Sequence, residues 1–325
     1  MLTNRIRNKI NRTFIDASFL IGLESFLYKN KKGAAIIMYH GVDLFENKYF
    51  NLRHVGKDNF EKQIVWLKKY CNIISIDDYF QGRLNPEKFN VAITFDDGYE
   101  NNYKYAFPIL EKHQIKATFY ITGLNHTEQK MIWGDTNNFI QKLYPKKELI
   151  IEGRQFVKQD GDFLDSISNQ PLSYFCRHSD YSFKEELNKV LFSNVDMGKV
   201  EFFDYWKLMT DEQIRMIGNS DFVSVGSHGW YHNNLGNINV TKARKEVQSS
   251  KEYLENLVQK PILSIAYPDG NYSEDVKEAA TSLGFTQQLA TENYLFENDC
   301  NDANIRSRYG VYPAFSWCNQ LDQMF

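Results

Sequence analysis

The sequence predicts an α/β fold organised around a mainly parallel sheet or barrel, and three observations carry that expectation. From residue 34 onward, short apolar runs of strand length alternate with segments of helical spacing. Helix-start signals stand between them, the clearest being the capping box Thr210-Asp211-Glu212-Gln213. The side chains capable of chemistry (His40, Asp96, Asp97, His228 and the turn at 267–270) fall at the C-terminal ends of the expected strands. Parallel α/β folds gather their functional groups at that end.

Taken in order, Ala35–Tyr39 reads as a buried strand, and Phe60, Ile64 and Leu67 give helical spacing. Strands are expected at 72–76, 91–95 and 117–121, with a helix through Tyr103, Ala106, Ile109 and Leu110 between the last two. The rhythm resumes with a helix toward Ile217, a strand at 222–225 and a long helix through Ala243, Val247, Leu254 and Leu257. A strand at 262–266, a helix at 274–283 and strands near 286–290 and 309–311 complete the pattern. Residues from about 125 to 205 do not share it. This charged, aromatic stretch is too long for a bare connection and reads as a partly helical inserted subdomain, a lid over the substrate groove or a structural cover.

The chain has 325 residues, 42% hydrophobic and 15% aromatic, which suits a packed core. A net charge of −3 gives no field that would draw nucleic acid. Cys71, Cys176, Cys300 and Cys318 are scattered and read as unpaired thiols, in keeping with a reducing compartment. Residues 1–33 form a separate segment. Asp16 and Glu24 break its apolar run, which fits neither a signal peptide nor a membrane span. Phe19, Leu20, Leu23 and Leu27 instead share one stripe of an amphipathic helix. That helix is expected to pack on the domain; the basic residues beside it also fit a peripheral membrane contact through residues 1–30. A cytoplasmic or membrane-peripheral location follows from the same reading.

Thr94-Phe95-Asp96-Asp97-Gly98 ends one expected strand in two adjacent carboxylates. Neighbouring side chains at a strand end point in different directions, so one can bind a metal while the other moves a proton. His228 and His232, four apart at the end of another strand, complete an open three-ligand zinc site with one of the carboxylates. Alone, the Asp-Asp-Gly run fits a turn with solvated carboxylates better than a catalytic pair. Its placement with the two imidazoles points to a metal-assisted hydrolase. His54, His113, His126 and His178 lie outside any ligand spacing and read as surface or core-edge residues.

Thr94–Tyr99 resembles the first motif of the polysaccharide deacetylases, the family-four carbohydrate esterases, and His228-Gly229-Trp230-Tyr231-His232 is similar to their second. The likeness extends to Met38–Val42, Ala106–Leu110, Ala117–Phe119, Ala266–Gly270 and Leu283–Phe285, so it covers about 34–124 and 205–312. It implies a catalytic domain over 34–325 with a distorted (β/α)7-type barrel. It implies a divalent metal, zinc or another such as Co2+ or Ni2+, held by Asp97, His228 and His232, with Asp96 as the general base. A turn at Tyr267, Pro268 and Asp269 is implied to serve the oxyanion, most plainly through the Asp269 N–H, with Trp230 beside the substrate.

Two departures bear on mechanism. No histidine follows His232, so the acid is expected from His40, as in the permuted branch typified by poly-N-acetylglucosamine deacetylases. The third motif reads Ala266-Tyr267-Pro268-Asp269 without its arginine; Arg308, with Arg306 as the nearby alternative, is expected to replace it. Gly229 stands where relatives carry serine or threonine, which removes a hydroxyl that stiffens the metal loop. The expected activity is removal of N-acetyl groups from a glycan or glycan precursor in surface-polysaccharide synthesis. The alternatives are a non-catalytic carbohydrate-binding relative and, less in keeping with so few ligands, a metal phosphoesterase.

Overall fold

The computed structural model describes residues 28–45, 52–128, 130–199, 205–313 and 316–325. The amphipathic helix expected within residues 1–33 lies almost wholly outside them. Strands β1 (Gly33–Tyr39), β2 (Val42–Asp43), β3 (Val55–Gly56), β4 (Asn72–Ile74), β5 (Phe89–Phe95) and β6 (Ala117–Ile121) precede the insert. Inside it lie β7 (Glu148–Ile151), β8 (Arg154–Gln159) and β9 (Asp162–Asp165). After it come β10 (Val223–Ser227), β11 (Ser264–Ala266), β12 (Gln287–Leu289), β13 (Ile305–Arg306) and β14 (Tyr309–Gly310).

The main sheet runs β13-β12-β11-β10-β6-β5-β1-β14, with β4 also on β5, and every pair in it is parallel. With helices between the strands this is a distorted (β/α) barrel. All residues of β5 and β6 are buried, as parallel strands covered on both faces require. Tyr39, Phe95 and Phe119 stack across β1, β5 and β6 with centroids 5.3 and 4.5 Å apart. Each such wholly buried aromatic contributes about 1.5–3 kcal/mol. The register pairs Tyr39 with Phe95, Phe95 with Phe119, and Ile121 with Ser227. The segments that follow these strands therefore start side by side, bringing His40, Asp96 and His228 to one rim.

Each expected strand is present near its expected place, and the shortening of 72–76 has a local cause. Ser75 caps a helix over Ile76–Phe80 in a box with Asp78, which ends β4 at Ile74. The capping box at Thr210 and Gln213 likewise opens the helix Asp211–Gly218. The short β2, β3 and β13 were not legible from their composition.

Between β6 and Asp211–Gly218 the chain builds helices at Trp133–Leu143, Leu172–His178 and Tyr181–Asn194 around a core of its own. Besides the expected helices it contains the antiparallel meander β7-β8-β9, closed by tight turns at Glu152-Gly153 and Asp160-Gly161, all with positive φ. No disulfide joins the four cysteines. Among the described residues no helix is long and apolar enough to cross a membrane.

Candidate metal centre and active site

Asp96 and Asp97 leave the end of β5 in different directions because Asp97 adopts a left-handed φ of 75°, followed by Gly98 at 77°. Aspartate tolerates that conformation better than most residues, and such strain gathers at functional sites. The turn sends the two carboxylates to different partners.

Asp97 Oδ1 lies 3.3 Å from His228 Nε2 and 3.1 Å from His232 Nε2, and all three residues are buried. The His228 Nδ1 is 2.8 Å from the Ala266 carbonyl; donation there leaves Nε2 to face the cluster. The three groups offer ligand atoms within 4.8 Å of one another. Ligands about 2.0–2.1 Å from a tetrahedral zinc stand about 3.3 Å apart, so the observed spacing and the N,N,O donor set fit such an ion. Burial pushes the Asp97 carboxyl up, but its contacts with His228 and His232 outweigh this and hold it well below the usual range.

Asp96 meets a different cation. Arg308 Nη1 and Nη2 donate to Asp96 Oδ1 and Oδ2 at 2.6 and 2.7 Å, a bidentate fork. Arg308 is itself buried and donates from Nε to the Ala290 carbonyl and from Nη1 to Thr94 Oγ1. Burial raises the Asp96 carboxyl, yet Arg308 and then His228 pull it below its ordinary value, so it is ionised at neutral pH. Arg306 is elsewhere, donating to the Asp302 and Ile305 carbonyls beside Phe80.

His40 follows β1 and is pinned by Asn102, which donates to the His40 carbonyl at 2.6 Å and accepts from the Val42 N–H. Asn102 begins a π-helical turn over Asn102–Ala106, a distortion frequent at functional sites. Burial lowers the His40 imidazole to about 4, only partly offset by the nearby Asp97 and Asp96.

The chain matches the polysaccharide deacetylase family model over residues 83–288. It belongs to the polysaccharide deacetylase family. YxkH of Bacillus subtilis (strain 168), which carries the same family's name, is 22% identical over 266 residues, 79% of this chain and 64% of YxkH. The poly-beta-1,6-N-acetyl-D-glucosamine N-deacetylase of Staphylococcus aureus (strain MSSA476) is 29% identical over 174 residues, 50% of this chain and 57% of that protein. The chain thus spans less than two thirds of the length of these curated relatives. Among solved structures, the Streptococcus pyogenes deacetylase PplD in complex with acetate superposes with a TM-score of 0.58 at 20% identity, covering 90% of this chain and 98% of PplD. IcaB from Ammonifex degensii gives 0.56 at 16% identity, covering 91% and 97%. These two share the barrel.

Two of the residues expected at the substrate have defined packing of their own. The Tyr267 ring is buried, stacked on Tyr272 and donating its hydroxyl to Gln288 Oε1 at 2.6 Å, so its side chain belongs to the core. Trp230 lies over Gly123, where a Cβ would come within 2.3 Å of the indole, and packs edge-on against Tyr253. It lines a groove of about 700 Å³ with Tyr181, Tyr231 and Tyr253. Pro268 and Asp269 do form a tight turn, with Asp269 at φ 52° and the Gly270 N–H donating to the Tyr267 carbonyl.

The loop carrying both histidines is braced without that hydroxyl. Glu246, buried on the helix Val240–Val258, accepts from the Tyr231 N–H at 2.9 Å, the Asn233 N–H at 3.3 Å and the Asn233 amide at 3.0 Å. Lys184 of the insert, wholly buried, donates to Asn233 Oδ1. Gly229 has φ 72°, and a Cβ there would lie 2.9 Å from Glu246 Oε1. The glycine is therefore the residue that this arrangement requires.

The sequence offered no signal for Arg53 or Asp135, and His54, read as a surface or core-edge residue, lies close to them. His54 is buried against Gly41, its Nδ1 3.1 Å from the Asn101 amide. Burial, then Arg53 and His40, hold its imidazole well below 6.5. None of the three sits in a motif. Arg53-His54 lies in an irregular connection, and Asp135 is brought in by the insert.

Proposed function

We propose that this chain is a metal-dependent deacetylase that hydrolyses N-acetyl groups on an acetylated glycan. The observation that carries the reading is the division of labour between adjacent carboxylates. Asp97 shares one oxygen between two imidazoles, while Asp96, just beside it, is ionised and clamped by Arg308. The substrate class is supported by the family and by the N-acetylglucosamine polymer in the name of the Staphylococcus aureus relative.

In this reading Asp97, His228 and His232 hold zinc or a similar divalent ion, which would lower the pKa of a bound water to about 7 and polarise the acetyl carbonyl. Asp96 accepts the proton of the attacking water at the edge of its carboxylate left open by Arg308, which fixes its orientation. The Asp269 N–H in the 268–270 turn supports the developing oxyanion. The proton that Asp96 takes from the attacking water must end on the departing amine, and His40, neutral until then, is the group assigned to carry it there. Burial disfavours its cation, so once protonated it is a strong donor. An arginine missing from the third motif and Gly229 in the second would fit a binding-only relative, but the Arg308–Asp96 fork supports the enzyme reading instead.

Acetate release from acetylated chitooligosaccharides and a poly-N-acetylglucosamine fragment, with zinc added or chelated, tests the proposal. Wild type should release acetate only with metal, and Asp96→Asn should be slower by about 10²–10⁴-fold. Undiminished turnover by Asp96→Asn, or none by folded, zinc-loaded wild type on either substrate, would reject it.

A further inference from the structure

Arg53 divides its guanidinium between the metal cluster and the insert. Its Nη1 lies 3.8 Å from Asp97 Oδ2, the oxygen turned away from both imidazoles. Its Nη2 lies 3.4 Å from Asp135 Oδ1 and 3.5 Å from the Tyr99 hydroxyl, which itself donates to Asp135 Oδ2 at 2.7 Å. Asp135 and Tyr99 are wholly buried. Asp135 sits in the first turn of the insert's helix Trp133–Leu143, and Gly134 before it leaves room for the guanidinium: a Cβ there would be 3.1 Å from Arg53 Nη2. The insert thus builds a socket whose contents point at a metal ligand.

We infer that Arg53, seated by Asp135 and Tyr99, is a positioning residue that holds the second oxygen of Asp97 away from the cation, so that the insert sets how the metal is bound. The inference rests on the metal reading above. A carboxylate with both oxygens on an ion fills a position that water or substrate needs, whereas one oxygen leaves the site open. A cation beside Asp97 also repels the metal ion. Arg53 therefore trades metal affinity for an open site. A purely structural residue would strengthen both properties or neither.

The test titrates Co2+ into cation-free protein by calorimetry, with the visible spectrum of the cobalt-loaded form and steady-state kinetics as second readouts. Arg53→Gln is expected to bind Co2+ about threefold to tenfold more tightly. Its cobalt absorption should weaken as coordination number rises, and kcat should fall about tenfold with KM little changed. Arg53→Lys, which keeps the charge, should restore cobalt affinity toward wild type. Asp135→Asn, which unseats the arginine from the insert side, should move affinity and spectrum in the same direction as Arg53→Gln. Unchanged or weaker cobalt binding with an unchanged spectrum, in whichever of Arg53→Gln and Asp135→Asn keeps the native circular dichroism, overturns the inference. A wild type that binds cobalt but releases no acetate sinks the deacetylase reading and leaves this comparison standing. A wild type that binds no cobalt overturns both.

Discussion

In the barrel, Asp96 meets Arg308 through two hydrogen bonds, and the sheet fixes both ends because the two residues follow or adjoin strands in one register. The insert reaches the same region by another route. It has its own core and its own antiparallel sheet, yet sends two wholly buried charged groups out of that core, Asp135 toward Arg53 and Lys184 toward Asn233. A cover that only excluded water would present apolar surface. Buried charges at a joint mean that each side is incomplete without the other.

Breaking the barrel's own contact should have the largest effect. Arg308→Ala leaves Asp96 buried beside no compensating fork, and losing one partner of such a pair costs about 3–5 kcal/mol. Urea denaturation should show that loss and acetate release should nearly vanish; Arg308→Lys should recover part of the stability but little turnover. Full turnover by Arg308→Ala would end the idea that it orients Asp96.

Breaking the insert's side should cost less. Lys184→Met keeps the volume but leaves Asn233 Oδ1 unsatisfied and Glu246 without a nearby cation, a loss of about 1–3 kcal/mol. Because loop 229–233 carries His232, zinc affinity should fall with stability. If calorimetry shows native zinc affinity in Lys184→Met, the insert does not support the metal loop by this contact.

The smallest effect is a pH dependence. His54 and His40 are held neutral in the folded protein, His40 at about 4, so between roughly pH 6.5 and 4 the unfolded chain binds more protons. Stability is therefore lost as pH falls through that window. Thermal melts of cation-free protein at several pH values should show it, and His54→Gln should flatten the slope. An unaltered slope would remove His54 from the account.

How far the sequence foretold this depends on how local the cause is. The strand ends carrying His40, Asp96 and His228 were legible because apolar runs and helix caps are short-range signals. The meander β7-β8-β9 was missed, although Glu148–Ile151 alternates exposed and buried and Asp160-Gly161 is a hairpin signal; aromatic and charged residues around it masked the period of two. Tyr267 was placed by motif, but side-chain direction depends on what the neighbouring strand offers, here Gln288. Arg53, Asp135 and Lys184 gain their positions from tertiary packing between the insert and the barrel, and no spacing records that.

Gly229 and Glu246 also constrain one another. While glutamate occupies 246, a Cβ at 229 would lie 2.9 Å from Glu246 Oε1, and the φ of 72° strains any side chain placed there. A serine there must move the Glu246 carboxylate off its partners Tyr231 and Asn233, and the positive φ strains it whatever stands at 246. Gly229→Ser should therefore loosen the contacts of Glu246 with Tyr231 and Asn233 rather than add a brace to the loop.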